Sequence, residues 1–168
     1  MRPTGEQILK TLANTLVTQL MQEVTRDKAK ADLGMMALLM GVACEEFERG
    51  TSQRMEENRE LRELFSEALA VVRDPALRDR LREGARTSET DYSPTALDRL
   101  NAELLEVLIA LHRHVETLDG HEARGMERKI WRFLEGWTRR RAFATSELFQ
   151  PIVLMATLQK RSAQGRPT

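Results

Sequence analysis

Apolar residues recur along this chain at intervals of three and four, and no stretch alternates apolar with polar in the manner of a strand, so the pattern reads as helix from end to end. Ile8, Leu12, Leu16, Leu20 and Val24 follow a Thr4…Gln7 capping-box pattern and predict a first helix from about Gly5 to Val24. A second is expected from Thr25 or Asp27 to Arg49, with Gly50 as its C-terminal stop. Its middle, LGMMALLMGVAC from Leu33 to Cys44, is apolar on every face and is expected to be the segment most enclosed by other helices, its methionines softening the packing. A third helix, from about Ser52 to Val72, carries Met55, Leu61, Phe65, Ala68, Leu69 and Val72 on one side and a mix of Glu and Arg on the other. Asp74-Pro75 and Ser93-Pro94 each pair an N-cap with a first-turn proline. They predict a short helix, PALRDRLREGA, and, beyond the polar RTSETDY, a long one from Pro94 to about Leu118. Asp119-Gly120 breaks the chain before a helix from His121 to about Ala144. The tail SELFQPIVLMATLQKR can form a last helix, kinked or started by Pro151.

Short connections between helices of about 20 residues favour antiparallel neighbours. The expected fold is therefore an all-α antiparallel bundle of four or five main helices plus short ones. It is expected as one domain over residues 1–160, with 161–168 frayed. Charged residues make up 31% of the 168 positions and balance to a net charge of +0, which argues against generic attraction to nucleic acid or to acidic membranes. The N-terminus has no apolar signal core, and the run Leu33 to Cys44 is about one third too short to span a bilayer, so no membrane association is expected. The single cysteine, Cys44, leaves no internal disulfide and no cysteine-rich zinc site. It reads as a small core residue in a cytoplasmic protein.

All three histidines, His112, His114 and His121, fall within ten residues. Leu97, Asn101, Leu104, Leu108, Leu111, Val115 and Leu118 form a core seam on the same helix, and His112 and His114 lie on its opposite flanks. Residues two apart on a helix point about 200° from each other, so this pair cannot share one metal. His112 does precede Glu116 by one turn, as an oriented general base or as a solvated pair near a helix C-terminus. Glu-x-x-His pairs, Gly-rich phosphate loops, GxSxG and HExxH are all missing, so no catalytic residue, metal or cofactor is predicted.

Two features rise above this background. Asn58 and Asn101 occupy core seam positions, where a buried amide must be bonded in a polar layer or face a cavity or partner. Charge is also uneven: Glu45 to Glu63 holds seven acidic residues against four basic, and His121 to Arg141 seven basic against three acidic. Either the two segments pair, or Arg139, Arg140 and Arg141 form a patch for an anion or acidic partner. On the same basic helix Trp137 belongs to the apolar stripe, while Trp131 sits at its edge, where it covers the bundle or anchors a partner. The apolar tail suggests docking onto the bundle or onto a second subunit, making a homo-oligomer.

RPTGEQIL, EENRELRELF from Glu56, ALDRLNAEL from Ala96, LHRHVE from Leu111 and KIWRFLEGWTRRR from Lys129 resemble a bacterial family of small all-helical proteins of unknown function. Its members are associated with a gene for an aminoglycoside-phosphotransferase-like kinase and with acyl-CoA dehydrogenases. The resemblance implies an accessory protein in acyl-CoA or hydroxy-acid catabolism, bound to the kinase-like enzyme, and gives no residue a role. The polar or aromatic positions that plain packing does not need are Asn58, Arg59, Asn101, His112, Glu116, Trp131 and Arg139 to Arg141. Two functions follow as expectations. One is a non-catalytic accessory or interaction protein using Trp131, Arg139, Arg140 and Arg141. The alternative is a small-ligand-binding or enzymatic bundle with Asn58, Asn101, His112 and Glu116 around an interhelical pocket.

Overall fold

Side-chain caps set where the helices begin. In the computed structural model, which describes residues 2–141, Thr4 Oγ1 accepts from the Gln7 backbone N–H at 3.2 Å and Gln7 Oε1 accepts from the Thr4 N–H at 3.0 Å. This reciprocal box launches α1 (Gly5–Thr15), which a π-helical turn, Leu16–Leu20, joins to α2 (Met21–Glu23). The Asp74 carboxylate accepts from Leu77 N–H at 2.7 Å ahead of α4 (Pro75–Arg86). Ser93 Oγ accepts from Ala96 N–H at 3.4 Å ahead of α5 (Pro94–Val115). Gly120, at φ 114°, takes the left-handed turn that admits α6 (His121–Arg141). All elements among the described residues are helical, and the chain is an all-α helical bundle. The expected last helix, the frayed end and the apolar tail lie outside the described residues.

The second and third expected helices are one: α3 (Asp27–Ala68) runs unbroken for 42 residues. Gly50 ends nothing, because it keeps the helical backbone and is buried. A glycine stops a helix when it turns left-handed, whereas inside a ladder it costs only about 1 kcal/mol relative to alanine. At its far end α3 stops at Ala68 instead of Val72. There Arg78 Nη1 donates to Leu69 O at 2.5 Å and to Val72 O at 2.7 Å, satisfying carbonyls that the helix no longer uses.

The described residues fall into two compact units, 2–49 and 50–141. In residues 50–141 the large apolar side chains are inside. Leu61, Phe65, Ala68 and Val72 of α3 pack with Leu81 of α4, Leu104, Leu108 and Leu111 of α5, and Met126, Ile130 and Phe133 of α6. Gly84 of α4 lets that helix approach closely, since a Cβ there would lie 3.0 Å from the Phe65 ring. The α5 seam is buried from Leu97 through Val115, and Leu118 falls in the turn beyond the helix.

Residues 2–49 are built differently. Gly5 lies beside the Phe47 ring, the Cys44 thiol donates to Glu6 O at 3.8 Å, and Gly34 lies beside the Met21 methyl, so α1 to α2 and the first part of α3 form an antiparallel hairpin. Its buried residues are small: Ala13, Ala37, Gly41 and Cys44. Met35, Met36 and Leu39 are exposed, as are Ile8, Leu12 and Leu20, which corrects one expectation. The LGMMALLMGVAC segment is not the most enclosed, and the Ile8-Leu12-Leu20 stripe is not the packing face of the first helix. A single neighbour covers roughly 100° of a helix. The small stripe at 34, 37, 41 and 44 takes that contact because it permits the closest approach.

Candidate functional site

The two seam asparagines meet. Asn101 Nδ2 donates to Asn58 Oδ1 at 2.9 Å, and both residues are buried. Arg141, at the end of α6, donates through Nη2 to Asn101 Oδ1 at 3.3 Å and clasps Glu57 with Nε at 3.2 Å and Nη2 at 2.7 Å. The Arg141 guanidinium also lies over the Trp137 ring, 4.7 Å from its centroid. Glu57, 1% exposed, is the buried carboxylate that the sequence reading missed. The signal was present, since Glu57 precedes Leu61 by four and Leu64 by seven. Asn58, Asn101, Glu57 and Arg141 thus form one polar layer across α3, α5 and α6. The other end of that amide, Asn58 Nδ2, completes no hydrogen bond among the described residues.

The basic and acidic segments pair. Arg140 grips Glu60 at 3.2 and 2.5 Å, Lys129 meets Glu67 at 2.5 Å, and Arg139 turns back to Glu135 on its own helix at 2.7 Å. Of the expected anion patch, Arg140 and Arg141 are therefore spent on α3, and only Arg139 stands largely in water. Arg59 is exposed and bridged to Glu56 and Glu63, and its guanidinium holds the Glu56 carboxyl below the usual carboxylate range. Beside the asparagine layer Arg62 holds Glu89 at 2.8 and 3.2 Å. Burial works to raise the Glu89 carboxyl. Hydrogen bonds from Arg62 and from the Glu89 backbone N–H, together with the Arg62 charge, outweigh it, so the group titrates below its ordinary range.

His112 stands apart from the asparagines, eleven residues and about 16 Å further along α5. Its Nε2 lies 3.7 Å from Glu116 Oε1, too far for a hydrogen bond, and its ring meets that of Trp131 edge to face at 5.3 Å. Trp131 is 56% exposed. The four residues expected around one pocket therefore occupy two places. An open cleft of about 430 Å³ is lined by other residues, among them Glu60, Glu63, Lys129, Arg132 and Arg140, with charges of both signs. Cys44 is buried, and burial pushes its thiol up, away from the reactive thiolate.

Exposed apolar surface is concentrated in one region. Residues 2–49 expose Ile8, Leu12, Leu20, Met35, Met36, Leu39 and Phe47, whereas the much longer 50–141 exposes only Met55, Tyr92, Ile109 and Trp131 among its large hydrophobic residues. Ile8, Leu12, Met36 and Phe47 share a side of the hairpin. Leu12 and Met36 each precede a buried contact residue, Ala13 or Ala37, by one, a rotation of about 100°. In an antiparallel pair that step turns both helices toward the same side. The Phe47 ring against Gly5 closes one end of the resulting groove.

Among the described residues no group of three or more His, Cys, Asp or Glu is placed to hold a metal ion, and no helix is long and apolar enough to cross a membrane. No protein-family model, no curated protein and no solved structure matches the chain.

Proposed function

We propose that this chain is a non-catalytic accessory protein that works by docking another protein on the apolar groove of residues 8–47. The observation that carries the reading is the groove itself: Leu12, Met36 and Phe47 exposed on one side of a hairpin whose own contact is satisfied by small residues. Contiguous apolar surface rich in methionine suits a binding face, because the unbranched thioether adapts its shape to a partner. Internal pairing of Arg140 and Arg141 and the bond between Asn58 and Asn101 turn the conspicuous polar residues toward holding the bundle together. The resemblance of the sequence to a kinase- and acyl-CoA-dehydrogenase-associated family makes those enzymes the first partners to try.

The test is capture of an aminoglycoside-phosphotransferase-like kinase or acyl-CoA dehydrogenase encoded beside this chain by the tagged full-length protein and by its Leu12→Asp, Met36→Asp variant. Stoichiometric capture by the first and at least a tenfold loss in the second, with helicity preserved, is the expected result. Capture that persists in the double variant but is lost with Trp131→Ala or Arg139→Glu would move the interface to α6 and sink the groove as its site.

A further inference from the structure

We infer that a second copy of this chain closes the groove in the free protein, the two hairpins packing face to face as a four-helix bundle. The dimer forms before any partner arrives and does not rest on the proposed function. Among the described residues, 2–49 bury only Ala13, Ala37 and Cys44 as apolar side chains, too little volume for a core, while Ile8, Leu12, Met36 and Phe47 stand 46–66% exposed on one side. The angle of that exposed stripe says how many helices cover it. On α3 the contact stripe of Gly34, Ala37, Gly41 and Cys44 is accompanied by a second one, Met36, Met40, Ala43 and Phe47, spaced four, three and four. The two stripes are centred about 110° apart, and on α1 Leu12 lies about 100° from Ala13 toward the same side. One helix laid on a hairpin makes a triangle, in which each helix meets its neighbours about 60° apart, whereas four helices make a square, with neighbours about 90° apart. The observed angle fits the square. The cover is therefore itself a pair of helices with an apolar face, and among the described residues the hairpin 2–49 is the pair that has one.

Charge permits the face to meet itself. Residues 33–44 of α3 contain no charged side chain, in a chain that is 31% charged. Between Gln7 and Gln22 the only one is Lys10, which lies about 160° around α1 from Leu12 and is bridged to Glu6. Two copies related by a two-fold axis thus bring together the same apolar patch, opposing no like charges and burying no unpaired one. The area is sufficient and modest. From Gly34, beside Met21, to Phe47, beside Gly5, the hairpin is about 20 Å long, and two helices are about 22 Å wide, so the face is on the order of 450 Å² in projection. Two such faces bury about 1,000 Å² once side-chain relief is counted, which is what a specific interface needs at its lower limit and fits a reversible dimer of micromolar affinity. Where the proposed function also holds, its partner and the second copy compete for one face, so capture weakens as the chain is concentrated.

Met35 supplies the control. Two residues before the buried Ala37, it is turned about 160° from the hairpin contact and about 100° from Met36, so it faces outward from the square. The full-length protein is followed by sedimentation equilibrium between about 1 and 500 µM, a range that brackets a micromolar dimer. In parallel, methyl NMR is recorded on a mixture of copies labelled at the methionine methyls with unlabelled copies, Met35 and Met36 being assigned by Met35→Leu and Met36→Leu. Expected are a monomer-to-dimer transition, contacts from the unlabelled copy to the Met36 methyl, and none to the Met35 methyl. Leu12→Asp with Met36→Asp should weaken association at least tenfold with helicity kept, and Met35→Asp should leave it unchanged. A monomer at every concentration overturns the dimer, and a Met36 methyl shielded from a soluble paramagnetic agent in that monomer would assign the face to another part of the same chain. A dimer that survives Leu12→Asp with Met36→Asp, or whose contacts fall on Met35, overturns it by placing the interface elsewhere. Should the double variant lose its helices, the wild-type mixture still decides, because contacts to Met36 are read without it. The proposed function fails separately, when capture of the kinase-like enzyme or the dehydrogenase is indifferent to the two substitutions whatever the mass of the free protein.

Discussion

Residues 50–141 and residues 2–49 are written in the same helical period and resolve it in opposite ways. The first region buries its bulk: Phe65, Leu61, Leu81, Leu104, Leu111 and Ile130 are at 0 or 1% exposure. The second buries Ala13, Ala37, Gly41 and Cys44 and leaves Met36, Leu39 and Phe47 outside. Large seam residues need partners on several sides and so assemble a bundle, while a small-residue stripe is satisfied by one close helix. The difference lies in side-chain size along the contact stripe, and periodicity alone does not report it.

The largest expected effect tests that contrast directly. Phe65→Ala removes a fully buried ring packed on Gly84 and should destabilise the protein by about 3–5 kcal/mol, whereas Phe47→Ala, at 66% exposure, should cost under about 1 kcal/mol. Urea denaturation followed by circular dichroism reads both. Equal losses would break the comparison. Next comes the polar layer. Asn101→Leu strands Asn58 in the core and should cost about 1–3 kcal/mol, while the Asn58→Leu, Asn101→Leu double variant should recover part of that loss, because neither amide is then left alone. A double variant worse than the sum of the singles would mean that each asparagine has a further partner worth more than their mutual bond.

How much of this was legible in the sequence follows the same division. The α5 seam could be read residue by residue, because four-three spacing and a bundle demand the same face, and the caps at Thr4, Asp74 and Ser93 could be read because capping is local. Asn58 and Asn101 stood out as amides on seams, and the structure brings them together. Glu57 did not stand out, because a carboxylate defaults to the surface unless a cation is brought to it. The cation is Arg141, 84 residues away, and nothing local announces it. Gly50 misled for a related reason: whether a glycine stops a helix depends on a backbone angle that its identity permits but does not impose. The groove went unread because Ile8, Leu12 and Leu20 form a sound amphipathic stripe, and a stripe does not say whether anything covers it.

A smaller effect sharpens the electrostatic side of the bundle. Glu89 titrates below its ordinary range in the folded chain, so the folded state favours the ionised form. The stability from this pair is therefore fully present above the unfolded carboxylate value of about 4.3, and it is lost as pH falls through the depressed folded value. Glu89→Gln should lower the unfolding temperature at neutral pH by a few degrees. The gap between variant and wild type should narrow steadily below about pH 4. A gap independent of pH would mean that shape, and not charge, holds Glu89 against Arg62.

The smallest effect is expected at Leu39. Its side chain is 58% exposed, and two residues beyond the buried Ala37 it is turned about 160° from the hairpin contact, on the back of α3 and about 60° beyond Met36. An exposed apolar side chain with no helix packed over it is ordinary surface, so Leu39→Ser should change stability by no more than about 0.5 kcal/mol. It should also leave partner capture as it is. Met36→Ser, three residues earlier on the same helix and similarly exposed, should weaken partner capture at equal stability. The pair separates apolar residues that merely face water from those that line a groove. If Leu39→Ser behaves like Met36→Ser, then α3 is covered all round between residues 33 and 44, and the contrast between the two regions is one of partner and not of side-chain size.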